Sequence, residues 1–163
     1  MTFIESETIE LKSSVVADLC KEVIAFANTR GGTLYIGVED NGTVIGVDSA
    51  DRVTLQINNM VRDSIKPDIT MFVHYETQVI DDKQIIAVTV QEGTDRPYYL
   101  GSKGLKPSGV YVRNGTSTDP ASDTAIRKMI KETDGDHFET MRSLEQNLSF
   151  QAVEAQFAKR KVP

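Results

Sequence analysis

The spacing of apolar residues predicts a strand followed by a helix near the start of the chain. In Thr8–Lys12 the apolar side chains occupy every second position, as in a strand with one buried face. Ser13 or Ser14 is a suitable N-cap for the helix that follows. Gly31 and Gly32 would end that helix, because glycine adopts a left-handed C-cap conformation without strain. The apolar stripe of this predicted helix consists of Val16, Leu19, Cys20, Val23 and Ala27.

A β-hairpin is predicted directly after the double glycine. Thr33–Val38 is a continuous apolar segment typical of a buried strand. Asn41 and Gly42 favour a two-residue type I′ turn, which needs a positive φ at both positions. Val44–Val47 is then the predicted return strand.

A second helix and a long hairpin are predicted next. The helix begins at Asp48 or Ser49, and Pro67 would terminate it. Ile69–Ile80 and Gln84–Val90 are predicted as antiparallel strands joined by a turn at residues 81–83. The helical stripe consists of Val53, Ile57, Met60, Val61 and Ile65.

The longest segment without periodicity covers residues 96–109 and is rich in Gly, Pro and Lys. Long irregular loops in small domains are often functional or mobile. Val110–Arg113 is a predicted strand, and a helix is expected from Ser122 through Met129–Ile130. Residues 134–147 are polar and predicted to form a linker, with a short tail helix after Leu148.

This order of elements indicates an α+β fold. We expect a mixed or mostly antiparallel sheet with hairpins, flanked by three main helices, plus a C-terminal tail helix. The predicted domain covers residues 1–133, and residues 134–163 form the linker and short helix. The chain has 163 residues, which suits one domain with a proper core.

Composition and the N-terminal sequence argue against a membrane-spanning, a secreted or a disulfide-linked protein. No apolar run is long enough to cross a membrane, and residues 1–6 lack the pattern of a secretory signal. Cys20 is the one cysteine, so an intrachain disulfide is excluded, and we expect it to be a core thiol. His74 and His137 are isolated, without a metal-type partner nearby in sequence. We therefore expect a cytoplasmic protein without a membrane partner.

The charge pattern leaves two interpretations open. The net charge of −6 argues against nucleic-acid binding through overall charge. A local basic region nevertheless lies between residues 96 and 131, where only Asp119 and Asp123 oppose the cations. It is either a solvated mixed surface or a binding face. Its cations are Arg96, Lys103, Lys106, Arg113, Arg127, Lys128 and Lys131.

Three segments together resemble the Schlafen-type AlbA-like domain family, formerly called a divergent AAA domain. Glu5–Lys12 is similar to the family's E-S-x-x-x-E-[FL]-K opening. Ala25–Gly37, followed by Val44–Gly46, is similar to its second motif. Gly109–Thr118 is similar to its G-x-Y-x-R-x-G-S-x-T motif. The resemblance covers roughly residues 3–132, with all segments in order.

The resemblance implies association with nucleic acid. Bacterial members are described as transcriptional regulators with a DNA-binding domain, and some are labelled ATP-binding. These proteins often continue into a further domain and a winged helix, so we expect a domain beyond residue 163. A required cofactor is not expected, and ATP hydrolysis has no support because the Gly-Lys-Ser/Thr of a P-loop is absent.

Some animal relatives cleave RNA with an acidic triad. Carried over to this sequence, the triad is Glu5, Glu10 and Asp40, with Glu39 as an alternative third member. Three carboxylates could hold Mg²⁺ or Mn²⁺ and activate water against a phosphodiester. The alternative is that they are surface carboxylates and a turn-forming Asp.

The predicted nucleic-acid contacts combine cations and a tyrosine. Lys103, Lys106, Arg113 and Arg30 would neutralise phosphates, and Tyr111 could stack on a base. The alternative is that Tyr111 packs in the core while Tyr98 and Tyr99 anchor the loop. The primary hypothesis is a nucleic-acid-binding domain. A metal-dependent ribonuclease and a protein-interaction or homo-oligomerisation module that uses the tail helix are the alternatives.

Overall fold

The computed structural model describes residues 3–134, and its centre is a four-stranded sheet. The strands are β1 (Ile9–Lys12), β2 (Gly32–Ile36), β4 (Val73–Ile80) and β5 (Lys83–Val90), in the order β1-β2-β5-β4. β1 pairs with β2 in parallel, and the other pairs are antiparallel. The predicted α+β class with a mixed, mostly antiparallel sheet is confirmed.

Helix α1 (Leu19–Asn28) forms the crossover that the parallel pairing of β1 and β2 requires. It begins at Leu19, later than the predicted caps Ser13 and Ser14, because the chain must first leave the sheet edge. Val16 is accordingly exposed, whereas Leu19 is fully buried. Every α1 residue except Lys21 is buried. The helix packs against the sheet, against the helix Ala50–Ser64 (α2) and against the strand Tyr111–Asn114 (β7).

The double glycine ends α1 as predicted. Gly31 has a φ of +76°, and its N–H donates to the Phe26 carbonyl oxygen at 2.8 Å. At Gly32, which begins β2, an added Cβ would lie 2.5 Å from the Phe26 ring. The close approach of helix and strand therefore requires both glycines.

The hairpin after β2 differs from the prediction. Gly42 has a positive φ, but Asn41 does not, so the expected type I′ turn is wrong. The Gly42 N–H donates to Glu39, which places Asp40 and Asn41 at the turn's centre. Val44–Val47 is no regular strand, because beyond the single Val38–Val44 bridge the chain folds back over Gly37.

A two-residue turn with a positive φ at both positions joins β4 to β5 instead. Asp81 and Asp82 have φ values of +52° and +62°, and the closing pair is Ile80 with Lys83. The predicted strand from Ile69 is also shorter at its start, because Thr70–Phe72 forms a 3-10 turn. An Asp68 side-chain oxygen caps that turn by accepting from Thr70.

Helix α2 (Ala50–Ser64) begins at the predicted cap, since the Ser49 hydroxyl accepts from the Arg52 N–H at 3.3 Å. It ends before Pro67 because β3 (Ile65–Lys66) pairs with β6 (Tyr99–Leu100). This pairing attaches one end of the predicted irregular loop to the body of the domain.

The second small sheet joins β7 (Tyr111–Asn114) to β8 (Ser117–Pro120). A third helix, α3, follows over residues 123–134, and the predicted cap Ser122 accepts from the Ala125 N–H at 3.0 Å. Ile126 and Met129 of α3 pack with Val110 in a separate small core.

Within the described part of the chain, no helix is long and apolar enough to cross a membrane. The predicted linker, the tail helix after Leu148 and His137 lie outside the described residues.

Candidate nucleic-acid interface

The segment from Leu100 to Val110, called the closed loop below, is tied together by its own backbone. The Leu100 N–H donates to Gly109, and the N–H groups of Lys103 and Gly104 donate back to Leu100, all at 2.9 Å. A Cβ added at Gly109 would lie 2.2 Å from the Gly104 oxygen. The predicted irregular loop therefore has a defined conformation, in which glycine permits the close backbone approach.

Lys103 and Lys106 project from the closed loop, and both are exposed. Neither forms an ion pair with any residue between 3 and 134. Leu105 between them is half exposed. The loop thus presents two cations without a countercharge in the described structure, which suits contact with an anion.

Tyrosines anchor the base of this loop. Tyr98 is fully buried, and its hydroxyl accepts from the Asp95 N–H at 3.1 Å. Tyr111 is 8% exposed, and its hydroxyl donates to the Ser108 carbonyl oxygen at 3.0 Å. The predicted base-stacking role of Tyr111 is not supported by this placement, because its ring packs in the core. The structure matches the alternative, in which Tyr111 packs in the core, Tyr98 is buried at the base of the loop and Tyr99 pairs with Lys66 of β3.

Asn28, at the end of α1, holds both tyrosine segments. Its side-chain oxygen accepts from the Tyr98 N–H at 2.7 Å, and its amide nitrogen donates to the carbonyl oxygens of Tyr98 and Tyr111 at 3.0 Å. Sequence reasoning did not single out this residue. The signal available was a polar side chain at the end of an otherwise apolar helix.

Arg113 does not reach the surface. Its side chain is 1% exposed, and it donates to Glu10 at 2.7 Å and to the carbonyl oxygens of Ser6 and Ile9 at 2.8 and 3.1 Å. The guanidinium also lies 5.1 Å above the Phe26 ring centroid. The predicted phosphate contact of Arg113 is therefore corrected: alternation placed Tyr111 and Arg113 on one face, and α1 with β1 covers that face.

Two carboxylates share the Arg113 site. Glu22 of α1 accepts from the Thr118 hydroxyl, lies 3.5 Å from Arg113 and forms a 3.1 Å ion pair with Lys12. Glu10 is 3.6 Å from the same lysine. With two acids and two bases the cluster is formally neutral, as a buried charged group requires. Glu22 and Thr118 were not predicted as members, because they meet Arg113 only through tertiary contacts.

The pKa of Glu10 is raised to about 7. Burial is the main cause, since it disfavours the charged carboxylate, and repulsion from Glu22 and Glu5 adds to it. The hydrogen bond from Arg113 acts in the opposite direction. For Lys12, burial lowers the pKa, but the attraction of Glu22 and Glu10 outweighs it, and the net shift is upward.

The structure does not assemble the predicted acidic triad. The Glu5 carboxylate accepts from the Leu11 N–H at 3.2 Å, close enough to Glu10 to influence it electrostatically. Asp40 and its alternative Glu39 are exposed in the hairpin turn. Among residues 3–134, no three His, Cys, Asp or Glu side chains form a group able to hold a metal ion. The ribonuclease alternative, which needs these carboxylates to converge, stays a prediction.

Arg30 is exposed, but it is already paired. Its guanidinium donates to the Glu7 carboxylate, which is itself partly exposed. The turn at Gly31, directly after Arg30, packs against the backbone of β5. An added Cβ at Gly31 would lie 2.7 Å from the Val90 oxygen. These glycines therefore serve helix-strand packing, and Arg30 remains available only through exchange with Glu7.

Cys20 and His74 lie apart from the closed loop in sequence and do not contribute to the proposed contacts. Cys20 is buried in the main core as expected, and burial raises the pKa of its thiol. His74 is exposed on β4.

Comparison with known proteins identifies the family of this chain. The family model described as "Schlafen, AlbA_2" matches residues 5–122. Comparison with curated proteins gave no match.

Several solved structures are similar to this chain, including the following two. One is the N-terminal domain of a RecG-related protein from Nitrosomonas europaea, whose assigned name is that of an ATP-dependent DNA helicase. It has 30% identity and a TM-score of 0.55 over 69% of this chain and 82% of that domain. The other is the DIP2311 protein from Corynebacterium diphtheriae, with 20% identity and a TM-score of 0.52 over 71% of this chain. At 20% identity this second likeness shows the fold alone, and this chain spans 25% of the Corynebacterium protein's length. Because the family model covers most of the chain and all three motifs, this protein belongs to the Schlafen AlbA_2 family.

Proposed function

We propose that this chain is a nucleic-acid-binding domain of a transcriptional-regulator-like protein, and that Lys103 and Lys106 of the closed loop contact the phosphate backbone. The observation that carries the proposal is the presentation of two exposed cations, unpaired among residues 3–134, by a loop whose backbone is already ordered. An ordered loop loses little conformational entropy on binding.

The charge distribution supports a localised contact. The chain carries a net charge of −6, so a polyanion is repelled from most of its surface. Arg113 is withdrawn into the core, and Arg30 is paired with Glu7. The closed loop therefore supplies the main contacts, and Arg30 contributes less because it must exchange partners.

DNA is the first ligand to test, because the Nitrosomonas relative bears the name of a DNA helicase. Single-stranded and double-stranded DNA of one sequence, and the corresponding RNA, are titrated at several salt concentrations with fluorescence anisotropy as the readout. Each phosphate contact released by mutation lowers the slope of log affinity against log salt by about 0.7 to 0.9. The double variant Lys103→Gln/Lys106→Gln should therefore lower that slope by about 1.4 to 1.8.

A matched control is available elsewhere on the surface. Arg62→Gln/Lys83→Gln removes the same charge from the end of α2 and from the β4–β5 turn, and both side chains are exposed. This control should keep the wild-type slope. Binding that is insensitive to salt, or an equal loss of slope in both double variants, contradicts the proposal.

A further inference from the structure

The outer edge of β4 is an uncovered strand edge in the described structure. β4 (Val73–Ile80) is the last strand of the four-stranded sheet, and among residues 3–134 no strand pairs with its outer side. The strand has eight residues and contains no proline. Long uninterrupted edges favour pairing with another strand, and proteins usually block them when no partner exists.

The β4–β5 register fixes which backbone groups point outward. Ile80 and Lys83 close a two-residue turn and are therefore a hydrogen-bonded pair. Hydrogen-bonded and non-hydrogen-bonded pairs alternate along an antiparallel ladder. Gln78 and Glu76 thus bond to β5, whereas the N–H and C=O groups of Val79, Thr77 and Tyr75 point away from the sheet.

Three side chains on one face of β4 form a strip at this edge, in which Val79 is exposed and apolar, Thr77 is exposed and polar, and Tyr75 is half-buried against the main core. Tyr75, Thr77 and Val79 lie on one face of β4, and Val79 is 64% exposed. Leu55 of α2, which is 60% exposed, lies beside Tyr75 and Thr77 in a shared groove. Single exposed apolar residues are ordinary, but a strip beside an open strand edge marks an interaction surface.

We infer that β4 pairs antiparallel with β4 of a second copy of this chain, with Thr77 on the two-fold axis. In this register Tyr75 lies opposite Val79 of the second copy on the same face, so an aromatic and an aliphatic side chain meet on each side of the axis. On the other face Glu76 lies opposite the neutral Gln78. A two-fold axis at Glu76 would instead place two carboxylates directly opposite each other, which is unfavourable.

In this register the outward backbone groups of the two copies are complementary. The outward N–H and C=O groups of Thr77 meet their own equivalents, as an isologous interface demands. The result is one continuous eight-stranded sheet. The closed loop takes no part in the argument, so the dimer and nucleic-acid binding can be tested separately.

The test compares two identical substitutions in the full chain by sedimentation equilibrium. Thr77→Lys places two ammonium groups face to face at the axis and should weaken dimerisation by at least about tenfold. Thr89→Lys is the control, because Thr89 is also exposed but lies on β5, away from the edge. It should leave dimerisation unchanged. Mixing Thr77→Lys with Thr77→Glu should restore association, since opposite charges then meet at the axis.

Amide hydrogen exchange provides a second readout on the wild-type chain. The amides of Tyr75, Thr77 and Val79 should gain protection as protein concentration rises, while those of Glu76 and Gln78 are protected throughout. Protection that is independent of concentration would mean that the chain covers its own edge. That result, a monomeric wild type, or equal effects of the two lysine variants would overturn the proposal.

Discussion

Asn28 is a single buried side chain that satisfies three backbone groups on two separate segments. Its amide bonds the N–H and C=O of Tyr98 and the C=O of Tyr111. No apolar residue can replace these bonds, and the backbone groups are too deeply buried to reach water. One polar side chain at the end of a helix therefore positions the base of the closed loop.

Asn28→Ala should lower the free energy of unfolding by about 3 kcal/mol, because it leaves buried backbone donors and acceptors unsatisfied. Urea denaturation measures the change. Gln56→Ala, an exposed amide on α2, is the control and should change stability by no more than about 0.5 kcal/mol. Similar losses in both variants would contradict the role assigned to Asn28.

Glu10 gives a pH-dependent prediction at the same scale. Burial raises its pKa to about 7 from the ordinary value of 4.5, so the folded protein retains a proton that the unfolded chain has lost. This contribution to stability is present below pH 4.5 and is lost as the pH rises to about 7. Wild type should therefore lose stability relative to Glu10→Gln over that interval.

Carbon-13 NMR of the Glu10 carboxyl group follows the titration directly. Glu22→Gln should lower the pKa of Glu10, because it removes a neighbouring negative charge. A Glu10 midpoint near 4.5 in the wild type would contradict the prediction.

At the scale of elements, the junction between α1 and β2 depends on two glycines with different tasks. Gly31 supplies a left-handed conformation, and Gly32 lets the strand pass the Phe26 ring. The sequence predicted the helix end here because glycine is the usual residue at a left-handed C-cap. How closely the strand approaches the helix depends on tertiary packing.

A comparison of Gly31→Ala with Gly104→Ala separates the energetic cost of backbone strain from the cost of a steric clash. Both glycines have a positive φ, +76° and +88°, so each substitution loses about 1 to 2 kcal/mol from backbone strain. Only at Gly31 does the new Cβ also lie 2.7 Å from the Val90 oxygen, whereas Gly104 has open space around it. Gly31→Ala should therefore cost a further ~1 to 3 kcal/mol in chemical denaturation. Equal costs would contradict this assignment.

At the scale of the whole molecule, the cluster around Arg113 joins elements that are distant in sequence. Arg113 of β7 bonds Glu10 of β1, the chain before β1 at Ser6, and Thr118 of β8. Glu22 brings in α1. The hairpin of β7 and β8 is thereby fixed to the main sheet and to the central helix.

Arg113→Met should lower the free energy of unfolding by about 3 to 5 kcal/mol, since Lys12 then remains as the one cation beside the buried carboxylates of Glu10 and Glu22. Arg62→Met is the control; its exposed pair with Asp63 contributes at most about 1 kcal/mol. Under conditions where Arg113→Met is folded, the salt dependence of nucleic-acid binding should match wild type. A smaller slope of log affinity against log salt in Arg113→Met would instead indicate that Arg113 contacts phosphate.

Much of the local structure was predictable because it depends on neighbouring residues. The Ser49 cap, the end of α1 at Gly31 and the β4–β5 hairpin were predicted from spacing and turn chemistry. The type I′ turn at Asn41–Gly42 was wrong, because the chain beyond it pairs only at Val44. A turn is selected by the strands it joins as well as by its own residues.

The sequence by itself determined which residues share a face and where charge is concentrated along the chain. It placed Tyr111 and Arg113 on one face of β7 and a concentration of cations between residues 96 and 131. Only the tertiary structure decided that α1 covers that face, so that Arg113 is an internal cation while Lys103 and Lys106 meet solvent. The physical reason is that alternation fixes the direction of a side chain relative to its own strand. What lies in that direction depends on contacts between elements far apart in sequence.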